Sequence, residues 1–261
     1  MDLQPPRIIH LTETGSTNAD AMRLALGGGQ LVGEKLPLWV AADRQTAGRG
    51  RAGRSWVSEA GNLHASLAFL SSAPLHQAGE LALLAGIALL DAVRATSPLA
   101  KTIGLRLKWP NDLLIGHAKT GGILVETTTA RGEPGFLAVI GCGLNVASCP
   151  GDLGRAVTSL GQHATALSIP AILNKLTAET AAWLAEWDNG RNFAAIRTAW
   201  LARAGAIGEA ISIATQTGPV SGTFRGVSET GALLADIDGQ RQTFTYGDVS
   251  LVAISGKDER P

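Results

Sequence analysis

Four arginines lie close together in a glycine-rich stretch of this chain, AADRQTAGRGRAGRSW at residues 41–56. Guanidinium groups bind phosphate or carboxylate through paired hydrogen bonds, and glycines allow the backbone to approach a ligand closely. The whole chain of 261 residues has 22 basic and 22 acidic residues, so this positive charge is a local feature. The pattern predicts a loop that binds an anionic ligand, with Arg49, Gly50 and Arg51 at its centre.

The same stretch has two other interpretations. Gly48, Gly50 and Gly53 have the spacing of the dinucleotide-binding fingerprint and follow a predicted strand. However, no helical period follows them, and no acidic residue lies about 20 positions further on, as that fingerprint requires. In the third interpretation, the stretch is a solvated hairpin loop without a ligand. We favour anion binding over both.

A second cluster lies in KWPNDLLIGHAKTGGILVET at residues 108–127. Pro110 and Asn111 predict a turn that presents Lys108 and Asp112 at a sharp corner, and Lys119 precedes a pair of glycines. Ammonium groups neutralise phosphate oxygens, and a carboxylate can hold Mg²⁺ directly or through water. The cluster lacks the GxxxxGK[ST] pattern of P-loop enzymes. A surface hairpin with incidental charges is the alternative, but the arginine loop makes nucleotide chemistry the favoured interpretation.

A third segment, ETGSTNADAMRLAL at residues 13–26, places polar side chains at the start of an amphipathic helix. Thr17 with Asp20 fits a weak capping box, which needs no ligand. Ser16, Thr17 and Asn18 fit equally well around a polar heterocycle or a carbonyl group. Both interpretations stay open at this point.

A fourth segment, VIGCGLNVA at residues 139–147, has glycines at alternate positions of an apolar strand. Gly141 and Gly143 leave one face of the strand free of side chains, which makes room for a flat ring. Asn145 has the donor and acceptor groups that an adenine edge requires. Taken alone, the segment fits a plain strand-to-loop turn better. Trp56, after the arginine loop, either stacks on such a ring or closes the core.

Three regions of different periodicity must position these side chains. The first 150 residues combine strands with helical patterns at 18–26 and 79–95, which indicates an α+β domain. Residues 151–206 are helical, with patterns at 170–187 and 192–205 that Asn189-Gly190 separates. Residues 207–253 contain short strands, and Asp238-Gly239 is a strong hairpin signal. We therefore expect one domain at 1–206 and a small β-barrel at 207–261. The strands predicted in the first region are at 38–43, 63–69, 105–109, 122–127 and 136–146.

The composition excludes several classes of protein. Hydrophobic residues make up 45% of the chain and charged residues 17%, which is typical of a globular protein and not of a disordered one. A formal net charge of zero provides no general attraction to nucleic acid or to an anionic membrane. We find no signal peptide and no apolar run of about 18 residues, so we expect a cytoplasmic protein. Two cysteines and five histidines show no disulfide framework and no metal-site spacing.

Six motifs, in their order along the chain, resemble those of the biotin protein ligases. They are TGSTN at 14–18, QTAGRGRAGRSW at 45–56, GNLHASL at 61–67, KWPNDLLI at 108–115, KTGGILVE at 119–126 and GCGLNV at 141–146. The helical region and the terminal strands also match that family's architecture, so the resemblance covers about residues 10–253. It implies a mixed-sheet catalytic domain of the biotin/lipoate ligase type, followed by an SH3-like β-barrel.

The resemblance implies a reaction in two steps. Biotin and MgATP would form biotinyl-5′-AMP, and a lysine of a biotin carboxyl carrier protein would then attack this mixed anhydride. Arg51, Lys108 and Lys119 would be catalytic, and Asp112 would help to position Mg²⁺. The residues implied for biotin are Ser16, Thr17, Asn18, Gln45, Arg49, Gly50, Arg51 and Lys119. The residues implied for ATP are Arg51, Trp56, Lys108, Asn111, Lys119 and Asn145.

Two other functions stay open beside this resemblance. A lipoate ligase or an octanoyl/lipoyl transferase shares the fold, although the arginine loop and the KWPND corner fit biotin ligation better. A catalytically silent binding module is the other alternative. The motifs begin at about residue 12, so we expect no winged helix-turn-helix ahead of them and no DNA repression. A homodimer is possible because sheet-edge dimers occur in the resembled family.

Two further expectations concern the loop and one unusual residue. The loop at residues 48–56 must open for substrates and close over the anhydride, so we expect it to be disordered without ligand. Many members of the resembled family have an aromatic residue where this chain has His64. A hydrogen bond of the imidazole can replace packing there.

Overall fold

A computed structural model describes residues 7–27, 36–96, 102–129, 135–151, 154–164, 167–215, 217–245 and 247–251. A seven-stranded sheet is its largest element. Its strands are β1 (Ile8–Thr14), β2 (Leu38–Gln45), β3 (Leu63–Ser71), β4 (Leu105–Lys108), β5 (Asp112–Ile115), β6 (Ala118–Thr129) and β7 (Phe136–Leu144). They lie in the order β1-β2-β3-β7-β6-β5-β4. β1 and β2 are parallel and the other neighbours are antiparallel, so the sheet is mixed as expected.

Three helices pack on this sheet, α1 (Thr17–Ala25), α2 (Glu80–Thr96) and α3 (Ile169–Trp187), and α4 (Phe193–Leu201) packs against α2 and α3. Alternate residues of β2 divide between two apolar clusters. Trp39 and Ala41 belong to the main core with α2, α3 and α4, whereas Leu38 and Val40 pack with α1. Since the side chains of a strand alternate between its faces, α1 covers one face of the sheet and the other helices cover the opposite face.

The C-terminal region forms a second, five-stranded antiparallel sheet. Its strands are β8 (Ala210–Thr215), β9 (Gly218–Val227), β10 (Leu233–Ile237), β11 (Gln240–Phe244) and β12 (Asp248–Leu251), in the order β11-β10-β9-β8-β12. Asp238 and Gly239 both have positive φ, 50° and 77°, and connect β10 to β11. This is the two-residue hairpin turn that the sequence predicts.

The α+β class is confirmed, and the predicted strands and helices of the first region all exist within a few residues of their expected bounds. Two strands were not predicted. β1 is an edge strand that pairs only with β2 and mixes polar with apolar residues, and β5 has only four residues. Helix α4 ends at Leu201, four residues earlier than its pattern indicates. The boundary between 206 and 207 and the SH3-like closure of the second sheet stay predictions. The polar tail at 256–261 lies outside the described residues.

Candidate active site

A cavity of about 510 Å³ opens on the α1 side of the large sheet. Six cationic side chains and two carboxylates line it, although the whole chain carries no net charge. The cavity brings together all but one of the residues that the sequence predicts for the site. They are Ser16, Thr17, Asn18, Gln45, Arg49, Gly50, Arg51, Trp56, Lys108, Asn111, Asp112 and Lys119.

The corner between β4 and β5 places Lys108 beside Asp112. The two residues are cross-strand partners on either side of the turn at 109–111, and cross-strand partners share a face of the sheet. Their side chains form an ion pair, with 2.8 Å between Lys108 Nζ and Asp112 Oδ2. The predicted turn therefore does present both charged groups at one corner.

A β-bulge in β6 brings Lys119 to the same place. The register between β5 and β6 shifts after Leu113, so that Leu114 pairs with Lys119 and Thr120 is an extra residue. Asp112 and Leu114 lie two positions apart and share a face, and Lys119 therefore shares that face as well. Without the extra residue, Lys119 would face the opposite side of the sheet. In the bulged strand its Nζ contacts the second carboxylate oxygen of Asp112.

The Asp112 carboxylate is nearly inaccessible to solvent, and its charge depends on the two lysines. Burial acts to raise the pKa of Asp112, but Lys119 and Lys108 outweigh it, and the pKa lies below the usual value of 3.8. Burial lowers the pKa of Lys119 below 10.5, and Asp112 opposes part of this shift. The carboxylate thus favours the charged form of a buried amine.

Ser16 and Thr17 make different hydrogen bonds at the start of α1. Ser16 is the N-cap residue, and its Oγ accepts from the backbone N–H of Ala19. The predicted Thr17–Asp20 capping box is therefore wrong, because the cap lies one residue earlier. The backbone N–H and hydroxyl of Thr17 instead donate to Gln45 Oε1, at 2.8 and 3.0 Å. These bonds join the helix start to the end of β2.

Asn18 uses the space that Gly141 leaves on β7. A Cβ atom on residue 141 would lie 2.1 Å from Asn18 Oδ1, so only glycine fits below this amide. Asn18 Oδ1 accepts from Ser66 Oγ at 2.6 Å, and Asn18 Nδ2 donates to Glu126 Oε2 at 2.8 Å. The amide is thus held by β3 and β6 at the wall of the cavity.

Trp56 occupies the space over Gly143. A Cβ atom on residue 143 would lie 2.6 Å from Trp56 Cε2, and Lys119 Nζ lies 5.7 Å from the centroid of the indole ring. The glycines of β7 do make room for a flat ring, as the sequence predicts. The ring that fills this place is the chain's own indole.

The arginine loop folds as a small hairpin over the cavity. Arg49 and Ser55 form an antiparallel bridge, and residues 51–53 make one short 3₁₀ turn. No helix follows in residues 54–62, all of which the structure describes, so the dinucleotide fingerprint lacks its helix. Gly48 must be glycine because a Cβ there would lie 2.5 Å from the Trp56 carbonyl oxygen. Disorder of residues 48–56 without ligand stays a prediction.

Comparison with known proteins decides the family. Residues 27–145 match the model of the biotin/lipoate A/B protein ligase family, and residues 206–252 match that of the biotin protein ligase C-terminal domain. A biotin–[acetyl-CoA-carboxylase] ligase from Paracoccus denitrificans is 38% identical over 248 residues, which cover 92% of this chain and 98% of that protein. The chain belongs to the biotin protein ligase family.

Solved structures of biotin protein ligases share the fold. One from Aquifex aeolicus, in complex with biotin and ATP, superposes with a TM-score of 0.75 at 24% identity and covers 94% of this chain and 98% of its own. Another from Leishmania major, in complex with biotinyl-5-AMP, has a TM-score of 0.62 at 22% identity, with coverage of 96% and 100%. These likenesses agree with the architecture described above.

The C-terminal sheet contributes to the cavity of this biotin protein ligase family member, which the sequence did not predict. Lys108 Nζ donates to the Val249 carbonyl oxygen at 2.6 Å, and Arg51 Nη2 donates to that of Gly247 at 3.2 Å. Asp248 lies 2.9 Å from Arg54 and 3.7 Å from Arg51. Burial lowers the pKa of Arg51 below its usual value, and Asp248 acts in the opposite direction.

Two residues that bind side chains of the site could not be identified as such from the sequence alone. Glu126 pairs with Arg49 across 3.0 Å, and Ser58 accepts from Gln45 Nε2 at 2.9 Å. Glu126 ends a motif of the family, but its ionic partner is 77 residues away. Arg225 of the C-terminal sheet pairs with Asp236 and does not line the cavity.

Asn145 is the predicted site residue that does not line the cavity. Its Nδ2 donates to the Thr158 carbonyl oxygen at 3.1 Å, and its backbone N–H donates to Thr120 at 2.7 Å. The backbone of Asn145 thus fastens the segment after β7 to the bulge of β6, and its side chain fastens the same segment to Thr158. The predicted contact of Asn145 with adenine stays a prediction without support from the cavity lining.

The donor set near Asp112 fits a metal ion only if a substrate supplies further ligands. Within the described residues, no group of three His, Cys, Asp or Glu side chains is placed to hold a metal ion. Both Asp112 oxygens contact lysine amines. Mg²⁺ commonly binds one carboxylate together with substrate phosphates and water, and this arrangement fits here. The metal-binding role of Asp112 stays a prediction.

Proposed function

We propose that the chain attaches biotin to a lysine of a biotin carboxyl carrier protein in an ATP-dependent reaction through biotinyl-5′-AMP. The observation that carries this proposal is the group of Lys108, Asp112 and Lys119 beside Arg51 in one cavity. The family membership and the biotin and ATP complexes of related enzymes support it.

Adenylation joins two anions, the biotin carboxylate and the α-phosphate of ATP. A carboxylate oxygen attacks the α-phosphorus, a new C(O)O–P bond forms, and pyrophosphate leaves with the electrons of the broken P–O bond. Arg51, Lys108 and Lys119 offset the repulsion between the reactants and the charge on the leaving group. A Mg²⁺ ion that enters with ATP and binds Asp112 would add to this charge neutralisation.

The binding assignments follow the positions around the cavity. Ser16, Thr17, Asn18 and Gln45 form a hydrogen-bonding wall, and we assign the ureido ring of biotin to it. Arg49 and Gly50 belong to the loop that closes over the ligand, and Trp56 with Asn111 borders the nucleotide. Carrier modification is the second step, in which a lysine amine attacks the acyl carbon and AMP leaves.

The setting of the reaction is part of the proposal. We expect the enzyme to work in the cytoplasm, without nucleic acid, and a homodimer stays possible. None of the helices among the described residues is long and apolar enough to span a membrane. Lipoate ligation is a second candidate because the first family model includes lipoate ligases.

The test is incubation of the chain with biotin, MgATP and a carrier domain, followed by intact-mass measurement of the carrier. We expect one biotinyl group on one lysine. Lys119→Ala should abolish adenylate formation, because a buried ammonium group at the centre of the cavity is lost. Lys175→Ala, an exposed lysine of α3, is the matched control and should retain full activity. Full activity of Lys119→Ala would refute the role of this lysine.

A further inference from the structure

Two buried nitrogen atoms near the cavity have no hydrogen-bond partner among the residues that the structure describes. They are Trp56 Nε1 and His64 Nδ1. Most buried polar atoms in proteins have a partner, because a lost hydrogen bond to water is costly when nothing replaces it. The two atoms therefore need an explanation, and the fold places them side by side.

His64 and Trp56 share one face of the large sheet. His64 in β3 is the cross-strand partner of Gly143 in β7, and cross-strand partners point to the same face. The Trp56 indole lies on Gly143, with Nε1 2.8 Å from the position of a Cβ on residue 143. Cβ atoms of such partners lie about 4.5–5.5 Å apart. The imidazole and the indole thus occupy neighbouring places.

The two atoms are chemically complementary. An indole N–H can only donate. His64 Nε2 lies 3.4 Å from the carbonyl oxygen of Glu59, which can only accept, so Nε2 carries the imidazole proton and Nδ1 is an acceptor. Burial lowers the pKa of His64 below 6.5, which favours this neutral form. A donor and an acceptor, both without partners, therefore face the same small space.

We propose that His64 is a positioning residue for Trp56. One enclosed water accepts a hydrogen bond from the indole N–H and donates one to His64 Nδ1, and this bridge holds the ring over Gly143. The consequence for catalysis rests on the proposed function: Trp56 forms a wall of the cavity beside Lys119, so a fixed indole keeps that wall in place. The bridge itself is independent of any activity.

The first measurement is NMR of the full chain with ¹⁵N-labelled tryptophan. The chain has six tryptophans, and loss of one indole signal in Trp56→Phe assigns Trp56. His64→Asn keeps an acceptor near the position of Nδ1. Leucine has as many side-chain heavy atoms as asparagine but no acceptor, so His64→Leu is the matched variant. We expect the Trp56 N–H signal to stay downfield in His64→Asn and to move upfield in His64→Leu.

Kinetics provides the second measurement. A hydrogen bond between neutral groups contributes about 0.5–1.5 kcal/mol, so His64→Leu should raise the KM for ATP in adenylate formation by roughly two- to tenfold. His64→Asn should stay near wild type. The KM for ATP of the double variant His64→Leu/Trp56→Phe should be no higher than that of Trp56→Phe alone, because both changes remove the same interaction.

Two results would overturn the proposal. One is an unchanged Trp56 signal in His64→Leu. The other is that His64→Asn and His64→Leu shift the Trp56 N–H signal equally and raise the KM for ATP equally, which would indicate that His64 acts through packing. If the wild-type chain forms no adenylate, the NMR comparison still decides whether His64 holds Trp56.

Discussion

At the scale of single residues, Asp112 has contacts that the sequence did not predict. The sequence indicates a carboxylate that helps to hold Mg²⁺, and the structure places its two oxygens on two lysines. Removal of one partner from such a buried group leaves uncompensated charge, which is costly. The types of these residues were readable from the sequence. Their pairing was not, because it depends on the turn at 109–111 and on the bulge in β6.

The contact with Asp112 predicts a pH effect on Lys119. The charged amine is the form that binds carboxylate and phosphate, and Asp112 raises the pKa of Lys119 against the effect of burial. In Asp112→Asn this support is lost, and the pKa of Lys119 falls further. We expect the alkaline limb of kcat/KM for adenylate formation to move to lower pH than in wild type. Asp236→Asn is the control, and an unmoved limb in Asp112→Asn would refute this coupling.

At the scale of elements, strand register explains what the motifs alone do not. The alternating glycines of β7 predicted an open face with room for the flat ring of a ligand, and a ring of the chain itself occupies that face. The ring is Trp56, which reaches β7 from a loop more than 80 residues earlier in the sequence. The occupant could not be predicted, because an open face indicates a space and not the group that fills it. β5 was not predicted either, so the bulge of β6, which lies in its pairing with β5, could not be predicted.

Gly143→Ala tests the importance of this space. The new Cβ would lie 2.6 Å from Trp56 Cε2, so the indole must move away from β7. Since displacement of a site group by about 1 Å can cost a hundredfold in rate, we expect kcat/KM for ATP to fall on the order of ten- to a hundredfold. Gly79→Ala is the matched control, because its Cβ has no neighbour within 4 Å. Equal activity of the two variants would contradict this account of Trp56.

At the scale of the whole molecule, the zero net charge conceals an uneven distribution. Six of the 22 basic side chains line one cavity, and both sheets contribute to its wall. The motifs of the sequence predicted the residues that the large sheet and its loops contribute to the cavity. They did not predict the contribution of the C-terminal sheet, because Lys108 and Arg51 donate hydrogen bonds there to the backbone carbonyl groups of Val249 and Gly247, and every residue has such a group.

The contact between the sheets predicts an effect on the arginine loop. Asp248 pairs with Arg54, and both side chains are about half exposed, so the pair contributes up to about 1 kcal/mol. We expect amide hydrogens of residues 50–54 to exchange up to about fivefold faster in Asp248→Asn. Asp236→Asn removes two ion pairs of the same sheet outside the cavity, those with Arg225 and Arg241, and should leave that exchange unchanged. Identical loop exchange in both variants would show that Asp248 does not hold the loop.

The central claim is that the cationic cavity activates the carboxylate of biotin with ATP. Exchange of labelled pyrophosphate into ATP, measured with either biotin or lipoate as the only acid, tests it most directly. The account predicts exchange that depends on biotin and disappears in Lys119→Ala. Exchange that depends on lipoate and not on biotin would contradict it.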